Sequence, residues 1–138
     1  MNNLVMEKVW EDGNLFELRI EGDSEYVTAY QNCYVQDIKI KEAGNLIGEF
    51  ISSSEESCYI EFGSKTGNYT PAFSMKLVKP DISGKMKIEV DIEIADNDSR
   101  CHRCVFYIDS ELGAMERFAK GLYSLASGTV SKIEMFEM

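Results

Sequence analysis

The chain has 138 residues, with 14 Lys and Arg against 24 Asp and Glu, one His and four Cys. That length is enough to bury about two thirds of the unfolded surface around a single core. The formal charge of −10 repels phosphate backbones and anionic lipid, which argues against nucleic acid and membranes as partners. The opening MNNLVMEKVWEDGNLF lacks a basic start leading into an apolar run, and no stretch approaches the roughly 20 apolar residues of a bilayer span. The expectation is one domain over 1–138, cytoplasmic, with its cysteines reduced.

Asp12-Gly13 supplies the left-handed backbone of a tight hairpin, followed by the alternating Phe16, Leu18 and Ile20. EGDS at 21–24 reads as the next turn. Tyr26, Tyr30 and Tyr34 then recur every fourth residue in a segment that looks extended, where same-face tyrosines stack on a sheet or form a binding platform. EAGN at 42–45 reads as a turn and SSSEES at 52–57 as a polar loop. Cys58, Ile60 and Phe62 alternate as a strand, SKTGNYTP at 64–71 turns the chain, and Phe73, Met75 and Leu77 form a strand flanked by Pro71 and Pro80.

After DISG at 81–84 comes the clearest pattern. Met86, Ile88, Val90, Ile92 and Ile94 point one way, and Lys85, Lys87, Glu89, Asp91 and Glu93 the other, as in a long half-buried antiparallel strand. DNDS at 96–99 resembles the start of a calcium loop but lacks the glycine and glutamate that complete one, so it reads as a turn. Residues 101–108 form another strand. Between 109 and 128 the period changes: Leu112, Met115, Phe118, Ala119, Leu122 and Leu125 line one helical face, with Asp109 or Ser110 as cap and Gly128 as terminator. Ile133 and Met135 close the chain in a last strand. No internal repeat or linker is evident. The expected fold is mainly β (α+β), an antiparallel β-sandwich or curled sheet of about eight to ten strands with one amphipathic C-terminal helix followed by a last strand.

Cys101-His-Arg-Cys104 is the most conspicuous set of ligand-type side chains. On a strand, Cys101 and Arg103 face one side while His102 and Cys104 face the other, so the thiols diverge where a zinc knuckle needs them convergent. A redox pair would sit at a helix N-terminus in a βαβ setting, which is absent. No metal and no cofactor are expected. Any Cys or Ser nucleophile with a histidine base would have to use His102, and no partner for it is identifiable. Gly-x-Ser-x-Gly, His-Glu-x-x-His and phosphate-cradling loops are missing.

Glu89, Asp91 and Glu93 form a row of carboxylates about 7 Å apart on one strand face. Its ordinary reading is a solvated surface, and its sharper one a docking strip for a basic partner.

The stretch RCHRCVFYIDSELGAMERFAKGLYSL, with a strand entering a helix of the form ELGxxERFxxxLxxL, resembles small uncharacterised bacterial proteins grouped with polymorphic-toxin immunity proteins. The resemblance covers the last third of the chain. It implies a protein that neutralises a partner toxin by surface contact, without catalysis, and it transfers no site residue. The reading is therefore a non-enzymatic protein-binding module for a basic protein such as a toxin, with Glu89, Asp91 and Glu93 as the candidate contacts and the oligomeric state left open. The alternative is a β domain that binds a small ligand or carbohydrate in a cavity.

Overall fold

The computed structural model describes residues 2–63, 72–97 and 100–136, without the side chains of 94–97, 100 and 101. SKTGNYTP with Pro71, the end of DNDS and the side chains of Ile94 and Cys101 therefore lie outside the described residues. Eight strands and two helices follow in the order β1 (Asn3–Asp12), β2 (Leu15–Asp23), β3 (Thr28–Gln36), α1 (Asp37–Ile51), β4 (Ser57–Phe62), β5 (Phe73–Val78), β6 (Lys85–Asn97), β7 (Arg100–Glu111), α2 (Leu112–Ser127) and β8 (Lys132–Glu134).

The strands make two four-stranded antiparallel sheets, β3-β2-β1-β8 and β4-β5-β6-β7. A mainly antiparallel β protein was expected. The single sandwich or curled sheet of about eight to ten strands with one helix is corrected to two sheets and two helices.

Alternation builds the strands as the sequence implies. Phe16, Leu18 and Ile20 of β2, Cys58, Ile60 and Phe62 of β4, Phe73, Met75 and Leu77 of β5, and Met86, Ile88, Val90 and Ile92 of β6 are all buried. They join one hydrophobic cluster with the inner faces of both helices. Phe106 of β7 reaches across to β2: a Cβ placed on Gly22 would lie 2.5 Å from the end of its ring, so only glycine admits this approach. The Asp12-Gly13 turn closes the first hairpin with Gly13 at φ 61°. In the 81–84 turn the Asp81 carboxylate accepts from the Ser83 hydroxyl and the amides of Ser83 and Lys85, which holds its pKa below the usual carboxylate value.

The helix α1 overturns the reading of EAGN as a turn. Its first residues, Asp37-Ile38-Lys39-Ile40-Lys41, alternate like a strand, and Gly44-Asn45 resembles a turn pair. Burial nevertheless follows the helical period at Ile40, Ala43, Gly44, Ile47 and Phe50. Tertiary packing decides here: a Cβ on Gly44 would meet the Ala119 carbonyl oxygen at 3.0 Å and Leu122 Cβ at 3.5 Å, so glycine lets α1 and α2 cross closely. The Tyr123 hydroxyl bonds Asn45 Oδ1 across the same pair.

The start of α2 also differs from expectation. Asp109 and Ser110 belong to β7, and the residue before the helix is Glu111, which makes no side-chain cap. Gly128 ends the helix at φ 82° as expected, while Thr129 N–H donates to the Ser124 carbonyl.

The order of elements repeats although the sequence does not. Three antiparallel strands, a helix and a strand (β1-β2-β3-α1-β4) are followed by the same series (β5-β6-β7-α2-β8). The last strand of each series pairs with the first strand of the other: β4 with β5, and β8 with β1. Buried helical positions match at a constant offset, Ile40 with Met115, Ala43 with Phe118, Gly44 with Ala119, Ile47 with Leu122 and Phe50 with Leu125. The matched pair Gly44 and Ala119 meets at the helix crossing, which is where an approximate two-fold axis would pass.

Candidate binding face

The three carboxylates predicted as a docking strip do lie on one outward face, that of β6. Its neighbours occupy that face with opposite charge. Asp91 is 7 % exposed, and Arg103 closes on it with a fork: Nε donates to Oδ1 at 3.0 Å and Nη2 to Oδ2 at 2.7 Å. Arg103 also stands directly opposite Glu93 in the β6–β7 register. Glu89 lies beside Lys76 of β5 and accepts from the Tyr107 hydroxyl at 3.0 Å, a bond that raises the phenol's pKa. Lys87 pairs with Asp109 at 3.2 Å. The strip is a ladder of alternating charge.

Cys101 to Cys104 lies within β7, as the strand reading requires. Cys104 is half-buried and His102 exposed. Among the described residues, no group of three His, Cys, Asp or Glu side chains is placed to hold a metal ion.

The outer face of the first sheet carries a different set. Tyr30 and Tyr34 share the exposed side of β3, 55 % and 49 % exposed, while Tyr26 precedes the strand. Trp10 joins them through an irregularity in β1. Leu4 and Met6 face the core, and strict alternation would send residue 10 the same way. A register shift between Lys8 and Trp10 inserts Val9 as an extra residue, so that Lys8 stands opposite Leu18 but Trp10 opposite Glu17. The bulge re-aims the indole to the outer face, leaving it 46 % exposed.

Across the strands Tyr34, Glu17 and Trp10 then fall in one row. The two rings meet edge to face, with centroids 6.1 Å apart and planes at 88°. The Asn32 side-chain amide donates to Glu17 Oε2 at 2.9 Å and fixes that carboxylate. One row on, the Arg19 guanidinium lies over the Tyr30 ring, 4.4 Å from its centroid, and donates to Glu21 at 3.2 Å.

Alternation places Glu7, Glu17, Glu21, Asp23 and Glu134 on this face with only Arg19 and Lys132 of opposite sign. The face is therefore both aromatic and negative. The spacing of the tyrosines was legible in sequence; the participation of Trp10 was not, because a bulge leaves no signal in the apolar pattern.

A groove of about 490 Å³ runs between the start of α1 and the end of α2, lined by Asp37, Ile38, Lys41, Tyr123, Ser124, Ala126 and Ser127. Its lining mixes the apolar Ile38 and Ala126 and the Tyr123 ring with the charged Asp37 and Lys41 and the hydroxyls of Ser124 and Ser127. Among the described residues no helix is long and apolar enough to cross a membrane. No protein-family model, curated protein or solved structure matches the chain.

Proposed function

We propose that this chain is a non-enzymatic binding module that holds a basic protein against the outer face of its first sheet, in the manner of an immunity protein neutralising a toxin. One observation carries the reading: a β-bulge turns the chain's single tryptophan out of the core and into a row with Glu17 and Tyr34. Leaving an indole about half exposed forfeits roughly 1 kcal/mol or more of burial. Burial against a partner would recover it, and Trp and Tyr are the side chains that most often dominate binding energy at interfaces. The excess of carboxylates around them complements a basic surface and speeds its approach. The likeness of the stretch at 100–125 to immunity-type proteins points the same way.

The test is capture of the partner by the tagged protein from its own cells under a moderate salt wash, followed by affinity measurement with the purified pair. Trp10→Ala is expected to weaken the complex at least tenfold, about 1.4 kcal/mol or more. A Glu89→Lys/Glu93→Lys variant should change it much less. The reverse result, with Trp10→Ala binding unchanged and the charge reversal abolishing binding, would move the interface to the carboxylate strip of the second sheet.

A further inference from the structure

The same face identifies the chemistry of the group it takes. We infer that Trp10, Glu17 and Tyr34 form a subsite for an arginine side chain presented by the partner; the inference rests on the proposal that this face docks a basic protein.

Three features of the row support it. The Trp10 and Tyr34 rings stand perpendicular and each is about half exposed, and a cation is drawn to the negative face of an aromatic ring. Glu17 stands between them in register, its Oε2 already held by Asn32 at 2.9 Å, so that Oε1 is the oxygen available to an incoming N–H. Further along the same face a comparable grouping is already filled from within the chain, with Arg19 of the next row reaching Tyr30 and Glu21 of the row beyond. There the Arg19 guanidinium stacks on Tyr30 at 4.4 Å while its Nη1 donates to the Glu21 carboxylate at 3.2 Å. Ring, carboxylate and guanidinium are thus satisfied together at Tyr30. The row of Trp10, Glu17 and Tyr34 holds two rings and a carboxylate.

A planar guanidinium fits better than an ammonium, because it can stack flat on a ring while its edge donates to a carboxylate. A neutral hydroxyl ligand such as a sugar would use the rings and gain nothing from the charge of Glu17.

The experiment uses the intact protein and its own fluorophore, since Trp10 is the only tryptophan. A short peptide of alternating glycine and arginine is titrated while the indole emission is followed, with a matched citrulline peptide, a matched lysine peptide and methyl glucoside as controls. The arginine peptide is expected to change the emission saturably, with the lysine peptide severalfold weaker and the citrulline peptide at least tenfold weaker. Glu17→Gln should weaken the arginine peptide at least fivefold, while Glu89→Gln, which removes the same charge from the other sheet, should not. Tyr34→Leu should also weaken it.

Equal binding of arginine and citrulline peptides, equal effects of Glu17→Gln and Glu89→Gln, or saturation by methyl glucoside at lower concentration than by the arginine peptide would each overturn the subsite. If the subsite fails while partner capture still depends on Trp10, the face docks through apolar contact and the wider proposal stands. If arginine binds but Trp10→Ala leaves partner capture intact, the wider proposal is the one that fails.

Discussion

Cys33 shows how a single buried group couples this fold to pH. It points inward from β3 and is fully shielded, so the thiolate is disfavoured first by desolvation and then by the nearby Glu17 charge, and its pKa is pushed up to about 12. In the unfolded chain the same thiol ionises near 9.0. The folded state therefore holds a proton that the unfolded state has released. The stability this provides is intact below pH 9 and is lost as pH rises toward about 12. The slope approaches about 1.4 kcal/mol per pH unit in that window. Urea denaturation between pH 8 and 10.5 should show stability falling more steeply in the native sequence than in Cys33→Ala. Identical slopes would mean that the thiol is not shielded. Native-state alkylation at pH 8 should likewise leave Cys33 unlabelled until the protein unfolds.

Among the elements, α1 separates helix propensity from helix packing, because it holds two glycines in different surroundings. Gly44 sits against the Ala119 carbonyl at the crossing with α2, whereas nothing lies within 4 Å of a Cβ added at Gly48. Gly48→Ala should stabilise the protein by about 0.5–1 kcal/mol, the ordinary gain of replacing a mid-helix glycine. Gly44→Leu gains similar propensity but forces the helices apart, a cost of about 1–3 kcal/mol, so its denaturation midpoint should fall. If both variants stabilised, the close crossing would not be a constraint. The same glycine explains why α1 is hard to read. Gly44-Asn45 and the Ile-Lys alternation before it carry local signals for turn and strand, and only contact with α2 outweighs them. By contrast α2 presents six apolar residues at helical spacing and a left-handed Gly128, and it is legible from the sequence to within three residues at its start.

For the whole molecule, the exchange of end strands is the organising fact. Neither β1-β2-β3-α1-β4 nor β5-β6-β7-α2-β8 completes a sheet, since β4 finishes the sheet of the second series and β8 that of the first. Each half alone leaves an unpaired strand edge and half a helix pair, too little to offset its conformational entropy. Separately expressed fragments covering 1–63 and 72–138 should therefore remain unfolded or self-associate, and mixing them in equal amounts should restore the circular dichroism of the intact chain. A fragment that folded cooperatively as a monomer would show the halves to be independent. The same interlocking links the binding face to both halves: β1, β2 and β3 carry its aromatic and acidic side chains, and β8 from the second series borders it with Lys132 and Glu134.

The sequence by itself determined the antiparallel strands, their inward residues, the first hairpin and the last helix. In each case the signal is local: two-residue alternation, a turn glycine, or a three-to-four-residue stripe. It also placed Glu89, Asp91 and Glu93 on one face and Tyr30 and Tyr34 on another, because side-chain direction on a regular strand follows from parity alone; Tyr26, grouped with them by spacing, precedes the strand. What only the tertiary structure decided depends on partners distant in the chain. Arg103 across the strand pair neutralises Asp91, so charge counted along β6 overstates the field at its surface. The inserted residue at Val9, defined only by pairing with β2, turns Trp10 outward. The close meeting with Ala119 makes Gly44 a helix residue, and the division into two sheets follows from β4 and β8 crossing to the opposite half. Parity and period are properties of neighbouring residues; register, bulge and strand exchange are properties of pairs that the folded chain brings together.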